Sequence, residues 1–245
     1  MTTPATPQRP PGKSSLSASI RRRQLEGYFP VISEIKVRSE KEGDLLRGRD
    51  PVALAREMAQ RPVAGISVVT EARHFGGSMD LLRTVAAALN VPILHKDFIS
   101  TERQIEESAA AGASAVLLIT SMLEAEQMGR LIQAARRCGL ETLVEAHSLD
   151  EMKQVRHLPF DLMGINNRDI TIFEVDDTNV SRTEEMAGSC KDARVLISES
   201  SISSAADVAR AGKCGADAVL VGTAVLKAAK TTDFLDELIS VGWPV

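Results

Sequence analysis

From residue 31 onward, short apolar runs alternate with longer amphipathic stretches. The runs begin near Val31, Gly65, Pro92, Ala115, Glu141, Leu162, Arg194 and Ala218. AVLLIT and RVLIS are continuously apolar, as parallel strands covered on both faces should be. The first run differs, because VISEIK alternates, and a period of two sends Glu34 and Lys36 to one face. Helical periodicity covers 51–60, 78–89, 101–111, 123–138, 149–157, 179–187 and 205–213, with a last segment at 232–239. Asp50 before Pro51, Ser100 ahead of Glu102 and Arg103, and Ser148 ahead of Asp150 and Glu151 are helix-start signals. Gly112, Gly139 and Gly215 sit where helices should stop. Eight strand–helix units, spaced by roughly 27 residues, predict an α/β chain folded as a (β/α)8 TIM barrel. The competing doubly wound sheet would more often carry a Gly-rich phosphate loop after its first strand, and none stands there.

Residues 1–19, MTTPATPQRPPGKSSLSAS, carry too few apolar side chains to offset the cost of ordering. They predict a flexible N-terminal tail, with 20–245 as a single barrel catalytic domain, and Arg21, Arg22 and Arg23 read as an exposed basic turn. Hydrophobic residues make up 44% of the chain and aromatics only 3%, so the core must be aliphatic. A net charge of -4 argues against a nucleic-acid partner, which calls for clustered Lys and Arg. Cys138, Cys190 and Cys214 are far apart and lack metal-like or disulfide spacing, so buried thiols in a reducing cytoplasm are expected. No apolar run approaches the roughly 18 residues of a membrane span, and the N-terminus has no secretory h-region.

In such a barrel the active site forms at the C-terminal ends of the strands. The first strand brings Glu34, Lys36 and Ser39 there, the third Lys96, Asp97 and Phe98, and the fifth Glu145 and His147. The sixth brings Asn166, Asn167 and Arg168, the seventh Glu199 and Ser200, and the eighth Gly222 and Thr223. One charge at a strand end is more often solvated or paired than catalytic. Charges on several converging ends are another matter, since burying them without function would cost several kcal/mol each. His95, next to Lys96, should point the opposite way into the helix layer. His74, His147 and His157 share no metal-like spacing and receive no role.

The segments SEIKVRS, TEARHFGGS, ILHKDFI, TLVEAH, GINNRDI, LISESSI and VLVGTAVL, in this order, resemble the indole-3-glycerol phosphate synthase family over roughly residues 29–239. The resemblance implies closure of the indole pyrrole ring in tryptophan biosynthesis. The substrate is 1-(o-carboxyphenylamino)-1-deoxyribulose 5-phosphate, carbon dioxide and water leave, and neither metal nor organic cofactor takes part. It implies Lys96 as the acid on the substrate carbonyl, Lys36 as the cation beside the departing carboxylate, and Lys36 and Glu145 as the pair for dehydration. Glu34 would pair with a lysine, Glu199 and Asn166 would hold substrate hydroxyls and amine, and Arg168 would support the carboxylate network. Which lysine is the acid in each step is left open. Ser200, Ser201, Gly222 and Thr223, with Ser39, are expected to hold the phosphate, and Phe75 and Phe98 to form the ring pocket. A monomer is expected, with association with other tryptophan-pathway enzymes left open.

Two positions depart from the family pattern. Glu40 stands where Pro usually follows the serine of the first loop, and Ser201 stands where Gly usually follows Glu-Ser. A loosened loop and a strained phosphate turn are the expected consequences. The N-terminal extension also looks too short and polar for long leading helices. Beside the synthase stand another phosphosugar barrel enzyme, an isomerase or a Schiff-base aldolase, and a barrel that binds a phosphorylated ligand without turnover.

Overall fold

In the computed structural model, which describes residues 15–168, 179–190 and 194–245, each apolar run becomes a parallel strand. The eight are Val31–Ile35, Gly65–Val69, Ile93–Lys96, Ala115–Ile119, Glu141–Ala146, Leu162–Asn166, Leu196–Glu199 and Ala218–Val221. They pair in chain order, and the first closes on the eighth, with Val31 opposite Val219 and Ser33 opposite Val221. The closed barrel has no open edge to protect.

Helices return the chain between strands, among them Pro51–Ala59, Met79–Ala88, Glu102–Ala110, Ala125–Arg137, Leu149–Val155 and Ala205–Lys213. Asp50 and Ser148 cap their helices as the sequence predicts. At the third strand–helix unit the cap is Thr101 rather than Ser100. Its hydroxyl accepts from the Gln104 amide while the Gln104 side chain accepts from the Thr101 amide. Gly112, Gly139 and Gly215 all hold positive φ just past a helix end.

Strand alternation sorts the core into two layers. Outward residues such as Val31, Val68 and Val219 pack under the helices, while Ile32, Leu94, Leu117, Leu143, Ile197 and Leu220 fill the barrel. Each of these buried aliphatics is worth about 1.5–3 kcal/mol. The filling occupies the lower barrel, so the upper ends of the same strands are left to polar side chains.

The chain start differs from expectation. A helix, Leu16–Leu25, begins inside the stretch read as tail, capped by Ser15. Leu16 and Ile20, one turn apart, are fully buried and join the barrel-filling cluster from its lower end. Ser17 Oγ donates to Glu141 Oε1 at 2.5 Å, and Gln24 Nε2 donates to the Asp217 carbonyl at 3.0 Å. Arg21 pairs with Asp217, and Arg23 donates to the Val63 carbonyl. The three arginines therefore lie on a helix that stoppers the barrel, not on a free turn. Residues 1–14 of the predicted tail lie outside the described residues. Among the described residues no helix is long and apolar enough to cross a membrane.

Candidate active site

Period-two alternation places Glu34, Lys96, Glu145 and Glu199 inside the top of the barrel, where they meet. Lys96 Nζ lies 2.8 Å from Glu199 Oε2, 3.7 Å from Glu145 Oε2 and 3.9 Å from Glu34 Oε2. Glu34 Oε1 is 3.7 Å from Lys36 Nζ, and Lys36 sits 5.6 Å from the centre of the Phe75 ring. Lys96 keeps 19% of its side chain exposed while Glu199 keeps none, so the ammonium is the group facing the open space.

Two glycines make this crowding feasible. A Cβ on Gly164, which pairs with Glu145 across the strands, would fall 2.1 Å from Glu199 Oε1. A Cβ on Gly222 would fall 2.5 Å from Glu34 Oε1. Both carboxylates occupy space that any other residue would fill.

The electrostatics separate the two carboxylates nearest Lys96. Burial works against ionising Glu145, but the Lys96 ammonium and the His147 ring prevail and bring it down to about 2. Burial pushes Glu199 up to about 7, with the Lys96 ammonium only partly offsetting it and the Glu145 carboxylate adding repulsion. Like charges sharing one cation titrate apart in this way. Burial disfavours the charged form of Lys96 too, yet Glu199, Glu145 and Glu34 together hold its proton well above the usual lysine range.

Above this cluster opens a cavity of about 700 Å³, a size suited to a small ligand. All but one of the sequence-predicted site residues line it, namely Glu34, Lys36, Ser39, Phe75, Lys96, Phe98, Glu145, Asn166, Arg168, Ser200, Ser201, Gly222 and Thr223, and the exception, Glu199, lies just below, bonded to Lys96. Phe75, Phe98, Met122 and Ile119 give one side an apolar wall, and Phe98 and Met122 are exposed at the mouth. Ser200, Ser201, Gly222 and Thr223 lie together at the ends of the seventh and eighth strands. Ser200 and Ser201 both hold left-handed backbone, with φ of 66° and 56°. The strain expected at Ser201 is present, and Ser200 shares it.

Asn167 fixes that turn from behind. Its Nδ2 donates to the Glu199 carbonyl at 3.0 Å and the Ser200 carbonyl at 3.2 Å, while its Oδ1 accepts from Thr183. Asn166 Oδ1 accepts from the Arg168 amide at 3.0 Å, holding Arg168 at the cavity edge. The loop after the first strand forms a hairpin pairing Arg38–Ser39 with Gly43–Asp44. Glu40, in the place of the family's usual Pro, meets His74 Nδ1 at 2.8 Å, and Glu42 meets Lys227 at 2.6 Å. These exposed pairs tether the loop on both sides but add little stability each.

His95 points outward as alternation requires, with Nδ1 2.7 Å from Ser108 Oγ and Nε2 2.7 Å from Thr70 Oγ1. Sequence reasoning passed over His147 and Gly164. Both had a signal: His147 follows Glu145 by two and precedes Glu151 by four, and Gly164 is a strand-interior glycine between inward Leu162 and Asn166.

The comparison with known proteins agrees with this cavity. Residues 4–238 match the family described as indole-3-glycerol phosphate synthase. The indole-3-glycerol phosphate synthase of Pyrococcus furiosus is 42% identical, over 91% of this chain and 96% of that protein. The Thermococcus kodakarensis protein of the same name is 41% identical over 92% and 97%, and that of Nocardioides sp. is 44% identical over 80% and 75%. Whole-length similarity of this kind, on a barrel whose polar strand ends converge as described, means that the chain belongs to the indole-3-glycerol phosphate synthase family.

Proposed function

We propose that the cavity performs the family's carboxy-lyase reaction with Lys96, Glu145 and Lys36 as its proton-transfer and charge-balancing groups. The observation that carries this is the placement of one ammonium, Lys96, within 4 Å of three carboxylates under an apolar wall. The substrate's aromatic ring carbon, the one bearing the carboxylate, must attack its ketone. Lys96 protonates the ketone oxygen as the carbon–carbon bond forms. With all three carboxylates facing it, Lys96 is a reluctant acid. A substrate oxygen that takes the place of the Glu199 contact removes one of those anions, and Glu199, ready to hold a proton near neutrality, turns to a substrate hydroxyl.

Loss of carbon dioxide returns the electron pair to the ring, and Lys36, beside Phe75 and Glu34, balances the carboxylate until it leaves. Dehydration then needs a proton removed from the ring-closed intermediate and one given to the departing hydroxyl. Glu145, ionised across the working range, is the base, and Lys36 is the acid. Glu34 sets the position of Lys36, Asn166 and Glu199 hold the substrate's hydroxyls and amine, and Arg168 faces the carboxylate. Phe75 and Phe98 sandwich the ring. The phosphate lies against Ser200, Ser201, Gly222 and Thr223, with Ser39 closing from the first loop.

A Schiff-base aldolase needs a neutral lysine as nucleophile, and Lys96 is held in the opposite state. Indole fluorescence measures turnover. Lys96→Met is expected to lower kcat by about 10²–10⁴, and full turnover in that variant would remove Lys96 from the role. Few large apolar side chains among the described residues are exposed, and two of them, Phe98 and Met122, belong to the cavity mouth. This supports a monomer that needs no obligate partner for turnover, which sedimentation velocity checks; a cytoplasmic location follows only from the biosynthetic role of the family, and fractionation checks it. A second tryptophan-pathway enzyme docking here would appear as co-sedimentation.

A further inference from the structure

His147 lies behind the cavity, 6% exposed, and is not part of its lining. Its Nε2 is 3.3 Å from Glu145 Oε1, within ion-pair reach although off the ideal hydrogen-bond angle. Its Nδ1 is 3.1 Å from Glu151 Oε2, in the first turn of the helix Leu149–Val155. The same Glu151 oxygen accepts from the His147 amide at 2.8 Å, and Arg182 Nη1 donates to the His147 carbonyl at 2.8 Å. The neighbouring 3-10 turn Thr120–Met122 brings no charge.

A neutral imidazole has one N–H, so one of its two nitrogens would turn a lone pair toward a carboxylate. Only the imidazolium offers a proton to both Glu145 and Glu151. We propose that His147 is a positioning residue for Glu145: clamped by Glu151 as the imidazolium, it keeps the Glu145 carboxylate ionised and aimed into the cavity. This rests on the reading of Glu145 as the base. The electrostatics agree with the geometry, for burial favours the neutral ring but the bonds to Glu145 and Glu151 push it up to about 9.

The clamp makes the acidic residue of the helix start part of the chemistry without touching substrate. Glu151 holds the ring, the ring holds the charge on Glu145, and Glu145 meets the substrate. Removing His147 should leave binding largely intact and raise the pH at which Glu145 gains a proton, while removing Glu151 should lower the midpoint of the ring itself.

Labelled-histidine NMR on the full chain, with the signal assigned by its loss in His147→Gln, gives the first readout. The expected midpoint lies near 9, and Glu151→Gln should lower it by about one unit or more. The pH profile of kcat gives the second. His147→Gln should show an acid limb about one unit or more above that of the wild type, with KM little changed, whereas Glu151→Gln leaves the ring charged at acid pH and should not raise the limb. A wild-type ring that titrates near its ordinary 6.5 overturns the proposal. So does a His147→Gln profile that superposes on the wild type after scaling, because a merely structural loss scales activity without moving the limb. Glu151→Gln guards against misfolding at the buried histidine. Unimpaired turnover in Glu145→Gln would instead sink the base reading, and is told apart because the ring would still titrate high in the wild type.

Discussion

Gly164 shows how much of this site depends on an absent side chain. The space its Cβ would take is occupied by Glu199 Oε1, and Leu143 closes the other side at 3.3 Å. Gly164→Ala should displace the Glu199 carboxylate and break its 2.8 Å contact with Lys96. We expect a kcat loss of about tenfold or more, in line with the loss of a positioned catalytic group, at a stability cost of about 1–3 kcal/mol from overpacking. Unchanged steady-state kinetics would count against the role given to Glu199. Ser201 presents the reverse case, a side chain where glycine fits better. Left-handed backbone costs a non-glycine residue about 1–2 kcal/mol, partly offset by the greater unfolded freedom of glycine. Ser201→Gly should therefore raise the unfolding free energy by about 0.5 kcal/mol in urea titrations, and lower KM if the turn relaxes toward phosphate.

Strands and helices were legible because their burial is periodic. The eight parallel strands lie in a two-sided apolar environment, so runs such as AVLLIT announce themselves, and the capped helices carry their own boundary residues. The charges were legible for a related reason, since Glu34, Lys96, Glu145 and Glu199 are inward by alternation and stand near strand ends. The helix Leu16–Leu25 was missed because only Leu16, Ile20 and the partly polar Ser19 and Gln24 are buried along it. Two apolar residues one turn apart in a polar stretch do not form a recognisable stripe. Their value comes from the barrel opening they fill, which no local window contains. Leu16→Ala should cost about 2–4 kcal/mol by urea denaturation, while kcat of the folded fraction stays at the wild-type value, because the helix lies at the barrel end away from the cavity. His147 escaped for another reason: its partners are legible individually, but the clamp exists only once the helix Leu149–Val155 brings Glu151 back over the strand end.

For the whole molecule, the catalytic charges act on stability as well as turnover, and their signs combine. Glu145 is held near 2 against an ordinary 4.5, so it contributes stability above pH 4.5 that is lost as the pH falls toward 2. Asp97 and Glu151 are held below their usual ranges despite burial, and act in the same direction. Glu199 is raised from 4.5 to about 7, so the stability it contributes is complete below 4.5 and is lost as the pH climbs to 7. His147, raised from 6.5 to about 9, contributes fully below 6.5 and loses its share as the pH rises through 9. The carboxylates thus fall away on the acid side, and Glu199 and His147 fall away in succession on the alkaline side. The unfolding free energy should peak near pH 4.5, and then decline by on the order of a few kcal/mol by pH 9. Urea titrations from pH 4 to 9 measure this directly. Glu199→Gln should flatten the decline between 4.5 and 7, and His147→Gln the decline between 6.5 and 9. A wild-type curve still rising at pH 8 would contradict both assignments. Stability lost toward neutral pH in this way is the cost of keeping a poised Glu199 and a charged His147 around the one ammonium that the reaction needs.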